Sequence, residues 1–379
     1  MMTEKEVDVL IVGAGLSGLT AAYHLQEVGL NVAVLEARGR IGGRIHTVTT
    51  DEGHGAFDLG PAWFWPHQRN VIAMLRAFGL GYFKQYETGY AVFEQQLHAP
   101  PQKFIPNWQQ APSYRIVGGT IALAKALADG VRPDTIHLDH RVKAITLADH
   151  ANQDGTHHVM VQGSIRDVQT IWSAKHVIVT LPPHLAATTI TYSPALPTNV
   201  LQAMQNTPTW MGEAMKVSLV YERPFWRDER LSGMAISYAG PVQQFHDATP
   251  ADAQLGALFG WVAHHHIDRT RSESARRKAV IEQAVRLFGK EAAHPMSYSE
   301  TNWEKERFTT NLNSKTRVMA KEHPQYGHPL LQHAQMEGHL WWATTEVSPI
   351  EGGYLDGAIS IGRSVAEKIA QKEIRQGKP

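Results

Sequence analysis

The sequence predicts an α/β fold, and three observations carry that expectation. First, an apolar run from Val7 to Val12 turns through Gly13, Gly15 and Gly18 into a helical pattern, then into a second apolar run ending on Glu36. Second, strand-like and helical periodicities alternate along the rest of the chain, closing on a strand-like run at His339–Trp342 and a final helical stretch. Third, 379 residues of which 43% are hydrophobic suffice for two cores. The expected architecture is a Rossmann-like nucleotide-binding domain with an inserted second domain of mixed sheet plus helices.

Composition narrows the function. Lys plus Arg and Asp plus Glu both number 36, so no basic field invites nucleic acid. The chain has no cysteine, which excludes disulfides, thiolate metal ligands, cysteine nucleophiles and cysteinyl-linked cofactors. No apolar run approaches the ~18–20 residues of a membrane span. Met1–Glu6 is polar and the apolar run after it is broken by Asp8, Gly13 and Gly15, unlike a signal peptide. A soluble, cytoplasmic protein is expected. The 21 histidines show no metal-ligand spacing, and His264–His266 reads as a polar turn, so no metal is expected.

In the first βαβ unit each glycine has a physical use. Gly13 permits a tight turn, Gly15 lets backbone approach a pyrophosphate, and Gly18 lets the helix pack closely on its strand. The helix start at Gly15, Leu16 and Ser17 offers unpaired N–H groups and a positive dipole end to phosphates. Glu36 ends the second strand, where a carboxylate accepts from ribose hydroxyls and repels a 2′-phosphate. A glycine-rich turn in an ordinary α/β domain is the bland alternative, but strand, helix, strand and acid fall in the order a dinucleotide site requires.

The next stretch is Glu36-Ala37-Arg38-Gly39-Arg40-Ile41-Gly42-Gly43-Arg44. With the glycine turn before it, it resembles the FAD-dependent amine oxidase family, which includes monoamine and polyamine oxidases. The resemblance implies FAD, bound without a cysteinyl link, with Arg38 and Arg44 near its phosphates and Gly42 and Gly43 wrapping them. Asp58-Leu59-Gly60-Pro61-Ala62-Trp63-Phe64-Trp65-Pro66-His67-Gln68 extends the match to the family segment beside the isoalloxazine ring, with Pro61 standing where relatives have glycine. Trp63 falls where relatives place an aromatic near the flavin; otherwise it is a core aromatic.

Asn70–Leu80 is helical, and residues 81–114 have weak periodicity. Ile116–Thr120 opens a helix that, by the resemblance, returns the chain to the FAD domain after an insertion shorter than in monoamine oxidases. The substrate site is therefore expected to be more open or differently roofed. Strands are expected at Ile136–Leu138, Arg141–Ile145, Val159–Ile165, Thr170–Trp172 and His176–Val179. Val142 matches a residue whose backbone meets the adenine, and Thr180-Leu181-Pro182-Pro183 a family element close to the nucleotide.

Ala214–Tyr221 reads as a strand with Lys216 interrupting a small or apolar face. Alone, Lys216 would be placed at a solvated strand edge. Its surroundings resemble the family segment in which a lysine holds a water against flavin N5, and this implies a part in reoxidation by oxygen and in imine hydrolysis. Leu258–Val262 is another strand. Ser274–Phe288 is an amphipathic helix with Arg276, Arg277, Lys278 and Glu282 expected to face solvent. Asn302-Trp303 resembles a family step; Leu312 and Asn313 then fall where relatives carry a flavin-linking cysteine and one aromatic wall of a substrate cage. At Gly353-Tyr354-Leu355 a helix start can aim N–H groups at the flavin N1–C2=O edge. Thr345 and Glu346 are expected at the ribityl or phosphate region, and Tyr354 matches a cage aromatic facing the amine. Thr344 departs from a family glycine.

The expected FAD domain comprises 1–68, 115–192 and 334–379, and the substrate domain 69–114 and 193–333. The expected reaction is oxidation of an amine C–N bond, with oxygen as acceptor. Alternatives left open are a C–C desaturase of the porphyrinogen-oxidase kind and a flavin-binding protein without turnover.

Overall fold

A computed structural model describes residues 5–106, 111–148, 158–166, 168–264, 266–310 and 323–375. Its centre is an eight-stranded sheet ordered Thr191–Ser193, His140–Leu147, Val159–Ile165, Val168–Val179, Lys5–Val12, Val32–Leu35 and Ile136–His137, with Leu340–Trp342 also paired to Val168–Val179. Lys5–Val12 is parallel to both of its neighbours. Val9, Leu10 and Ile11 are fully buried, which is why the strand is apolar from Val9 to Val12, while its charged residues Lys5, Glu6 and Asp8 lie toward its less buried start.

Two helices cover one another beside this sheet. Leu16–Glu27 packs against Leu355–Arg375 closely enough that a Cβ on Gly362 would lie 2.4 Å from the Ser17 carbonyl oxygen. Val71, Met74 and Leu75 of the helix Arg69–Ala77 and Val200, Ala203 and Met204 of Thr198–Asn206 join the same core. Of the 69–114 stretch expected to go with the second domain, only Tyr90–Glu94 and Gln102–Phe104 pair into the second sheet.

The strands expected separately at Thr170–Trp172 and His176–Val179 are one strand, Val168–Val179. The polar residues that divide the pattern are satisfied within the sheet. Ser173 bonds His158 Nδ1 at 2.8 Å and Lys175 pairs with Asp8 at 2.9 Å. The strand is antiparallel to Val159–Ile165 from Val168 to Ala174 and parallel to Lys5–Val12 from Trp172 onward.

The second sheet has seven strands ordered Ser297–Asn302, Met215–Tyr221, Gly256–Val262, Val242–Asp247, Leu231–Ser237, Tyr90–Glu94 and Gln102–Phe104. Met215, Val217, Leu219 and Tyr221 alternate into a core shared with Val280, Ala284, Leu287 and Phe288 of the helix Glu273–Phe288. Ser272 caps that helix by accepting from the Ala275 N–H. Arg276, expected in solvent, turns inward and pairs with Glu300 on the neighbouring strand. The opposite face of this sheet meets the 57–63 segment through Phe57, Val220, Ala257 and Phe259, with Trp63 and Trp261 at its edge. That junction places the site.

Candidate active site

A deep cleft runs from the glycine turn, along the 60–63 segment, to the Lys216 strand. Of the residues singled out from sequence, Gly13, Gly15, Leu16, Ser17, Glu36, Ala37, Arg38, Gly42, Gly43, Arg44, Gly60, Pro61, Ala62, Trp63, Val142, Thr180, Lys216, Thr345, Tyr354 and Leu355 line it. Gly18 and Glu346 do not.

The nucleotide end is made by backbone. Gly13 holds φ +109, and a Cβ there would lie 2.5 Å from Thr180 Oγ1. Gly18 lies beneath it, where a Cβ would stand 2.0 Å from the Gly13 carbonyl oxygen. No side chain caps the helix at Gly15, so its first N–H groups remain available to a phosphate. Glu36 is buried and already accepts from the Ala14 and Arg38 N–H groups, both at 2.8 Å. These bonds fix the carboxylate at the cleft wall and leave it lone pairs for ribose hydroxyls.

The two arginines are engaged by protein groups. Arg44 makes a two-pronged pair with Glu346 at 2.7 and 3.0 Å. Glu346 is 1% exposed and also accepts from Thr344 Oγ1. Glu346 thus stands behind Arg44, which lines the cleft in front of it. The hydroxyl at the departure Thr344 supplies a bond that the family glycine has no side chain to make. Arg38 Nη2 bonds Thr309 Oγ1 at 2.8 Å and Glu306 at 3.2 Å, while its buried Nε has no acceptor among the described residues.

Lys216 sits on an interior strand, flanked by Trp261 on one side and Thr301 on the other. It is 3% exposed, and the solvated-edge placement fails because both neighbouring strands and the 57–63 segment cover it. Its Nζ donates to the Gly60 carbonyl at 3.0 Å and stands 3.9 Å from the centre of the Phe259 ring and 5.8 Å from that of Trp261. Burial pushes its pKa down to about 7; Asp58 opposes and Arg115 adds to the shift. Lys216 is thus poised between amine and ammonium near neutral pH.

Trp63 packs its ring against His246, Phe259 and Trp261 with centroids 4.9, 5.3 and 5.7 Å apart, and its Nε1 donates to Gln85 at 2.8 Å. Burial drives the His246 pKa down to about 3, with Lys216 adding to the shift, so the imidazole is neutral. At the other wall, Thr345 Oγ1 accepts from the Gly353 N–H at 2.9 Å and donates to the Tyr354 carbonyl at 3.0 Å. This hydroxyl fixes the turn that starts the last helix. Tyr354 meets Trp65 edge-on at 5.9 Å and stacks on His323 at 4.8 Å with planes 3° apart.

Trp210, Trp261, Arg307 and Phe308 also line the cleft and carry no local motif. Trp65 lines it too; it lies within the 58–68 family segment, two residues from Trp63 with the buried Phe64 between them. Leu312, Asn313 and His265 lie outside the described residues. Among the described residues no cluster of His, Asp and Glu could hold a metal, and no helix is long and apolar enough to cross a membrane.

Comparison with known proteins agrees with this geometry. The sequence profile described as flavin containing amine oxidoreductase matches residues 16–114 and 106–370. Putrescine oxidase of Kocuria rosea is 26% identical over 97% of this chain and 96% of its own. A probable flavin-containing monoamine oxidase A of Dictyostelium discoideum is 24% identical over 96% and 98%. Among solved structures, wild-type putrescine oxidase bound to putrescine superimposes with a TM-score of 0.79 at 22% identity, covering 97% of this chain and all of that one. That likeness shows the fold. The family profile spans most of the chain, and this protein belongs to the flavin-containing amine oxidoreductase family.

Proposed function

We propose that the protein is an FAD-dependent amine oxidase that converts an amine to the imine and passes the electrons to oxygen. The observation that carries the reading is Lys216: a buried lysine of pKa about 7, held against the Gly60 carbonyl where the cleft leaves the nucleotide end. The residues present fit the cofactor. The glycine turn leaves room and N–H groups for a diphosphate, Glu36 offers lone pairs to a ribose, and Arg38 Nε is a buried donor with no acceptor among the described residues. The match to the family profile supports a flavin, and the absence of cysteine leaves no cysteinyl link.

When bound, FAD supplies a two-electron acceptor for the amine's α-C–H bond, and oxygen restores it with release of hydrogen peroxide. The chain's own residues do the rest. The helix that starts at Leu355, behind a turn pinned by Thr345, presents its first N–H groups and a positive dipole end to the cleft, whereas the Tyr354 N–H is taken by the Glu351 carbonyl at 3.2 Å. Such groups stabilise negative charge that develops in front of them. Lys216 Nζ can hold or release a proton near pH 7 and can position a water between itself and the cofactor. A positive charge there favours electron transfer to oxygen, and the water is available to hydrolyse the imine. Trp63, Trp65, Trp210, Trp261 and Tyr354 wall the cleft with aromatic surface, which suits an amine carrying an apolar substituent.

The test is anaerobic addition of an amine panel to the purified protein, followed by air. Bleaching of the flavin absorbance, then recovery with stoichiometric peroxide, is expected. A flavin that no amine bleaches would overturn the reading.

A further inference from the structure

The second layer also reaches the nucleotide end of the cleft. After the strand Ser297–Asn302 the chain turns through Trp303 and lays Arg307, Phe308 and Thr309 along the cleft wall. This turn is anchored firmly. Trp303 donates from Nε1 to the Leu59 carbonyl and from its backbone N–H to the Ala214 carbonyl, both at 2.9 Å. The Glu306 carbonyl accepts from the Thr309 and Thr310 N–H groups at 2.8 and 2.9 Å, closing the loop on itself.

Two guanidinium groups flank the Phe308 ring. Arg38 stands 5.5 Å from its centre and Arg307 4.5 Å. Arg38 belongs to the glycine-rich stretch after Glu36, whereas Arg307 comes from the second layer. Glu306 and Thr309 bond the Nη2 end of Arg38, at 3.2 and 2.8 Å, and so fix its fork against the turn. That leaves the buried Nε of Arg38 without an acceptor among the described residues. Arg307 is exposed on the cleft side. A planar donor fork held in place beside a second cation, at the mouth of a glycine turn, matches the chemistry of a diphosphate.

We propose that the Glu306–Thr309 turn is a strap across the cofactor's diphosphate. Arg307 is a phosphate ligand contributed by the second layer, and Glu306 and Thr309 are positioning residues that hold Arg38 as its counterpart. The strap closes the cleft without a covalent bond, in a chain that has no cysteine to make the cysteinyl one. The inference rests on the reading of the cleft as a dinucleotide site, and the experiment separates the two.

Apoprotein prepared from the full chain is titrated with FAD, ADP and adenosine, for wild type, R307Q and R307K, with flavin fluorescence and calorimetry as readouts. R307Q is expected to weaken FAD and ADP at least tenfold and leave adenosine within twofold. R307K, which keeps the charge but loses the fork, is expected to fall between. The melting temperature of R307Q apoprotein should match wild type, while the rise produced by saturating FAD shrinks. FAD affinity unchanged within twofold in R307Q, or an equal loss for adenosine, would overturn the strap. Failure of the wild-type apoprotein to bind FAD would overturn the dinucleotide reading itself.

Discussion

The two ends of the cleft are built by opposite means. At the nucleotide end the space is shaped by backbone: Gly13, Gly15 and Gly18 clear it, and an uncapped helix start points N–H groups into it. These backbone parts lie within one short run of chain, and side chains such as Glu36 and Arg38 are added to them. At the Lys216 end the working groups are side chains, carried on four separate stretches and brought together by the face of a sheet. The first end gives the protein stability along with function, because its polar groups bond one another. The second costs stability, because a lysine and an imidazole are buried among aromatic rings.

The largest test of that contrast is Glu346→Gln. It leaves Arg44 facing a neutral partner at a two-pronged contact. Breaking a buried pair costs about 3–5 kcal/mol. Arg44 retains 27% side-chain exposure on the cleft, so a loss just below that range, about 2–3 kcal/mol, is expected. A bound diphosphate partly replaces the lost charge, so the melting temperature should fall further in the apoprotein than in the holoprotein. Equal falls would show that Arg44 does not sense the cofactor.

Gly18→Ala probes the same end through shape. The added methyl would sit 2.0 Å from the Gly13 carbonyl oxygen, so helix and turn must part. A cost of about 1–3 kcal/mol is expected. Cofactor retention after gel filtration should fall by a comparable factor, roughly 5- to 150-fold.

Lys216→Met should move stability the other way. In the unfolded chain a lysine stays protonated up to about pH 10. In the folded chain burial lowers its pKa to about 7, so folding releases a proton between these values. Stability contributed by this group therefore rises with pH from about 7 to 10 and is lost below 7. The methionine variant lacks that slope. Its apoprotein should be more stable than wild type at pH 7, by about 1–3 kcal/mol. Reoxidation of the reduced flavin by oxygen should nevertheless slow by about 10- to 100-fold. A variant both less stable and fully active would reverse the assignment of the two ends.

The same contrast explains what could be read in the sequence. Glu36, Gly13 and the first helix were legible because their function is local, and backbone geometry leaves glycines at fixed spacing. Lys216 was legible as an interruption in a strand but not as buried, because its cover comes from Phe259 and Trp261 and from the 57–63 segment, far away in sequence. Glu346 is expected at the ribityl or phosphate region from the family resemblance, but its pairing with Arg44, 302 residues away, has no signal in the sequence. Arg307 and Phe308 had no signal at all. They come to the cleft only because the turn after Ser297–Asn302 lies beside the first sheet's loops. The long strand Val168–Val179 shows in sequence as two runs, because Ser173 and Lys175 interrupt its apolar pattern and their partners His158 and Asp8 lie on other strands or loops.

The smallest effect belongs to His246, which sharpens where the polar end stops. Its ring stacks on Phe259 at 5.5 Å, on a strand not adjacent to that of Lys216. Its Nε2 is buried and has no hydrogen-bond partner among the described residues. Burial keeps the imidazole uncharged throughout the neutral range. His246→Phe then removes no charge and relieves an unsatisfied polar atom, so stability should stay level or rise by about 1 kcal/mol. If Lys216 governs flavin reoxidation, its rate should titrate with a midpoint near pH 7, and His246→Phe should move that midpoint by less than about 0.3, because a neutral ring contributes little to the Coulomb field at Nζ. A shift of a full unit would mean that His246 shares the proton with Lys216, and the reactive end would then extend across three strands rather than resting on one lysine.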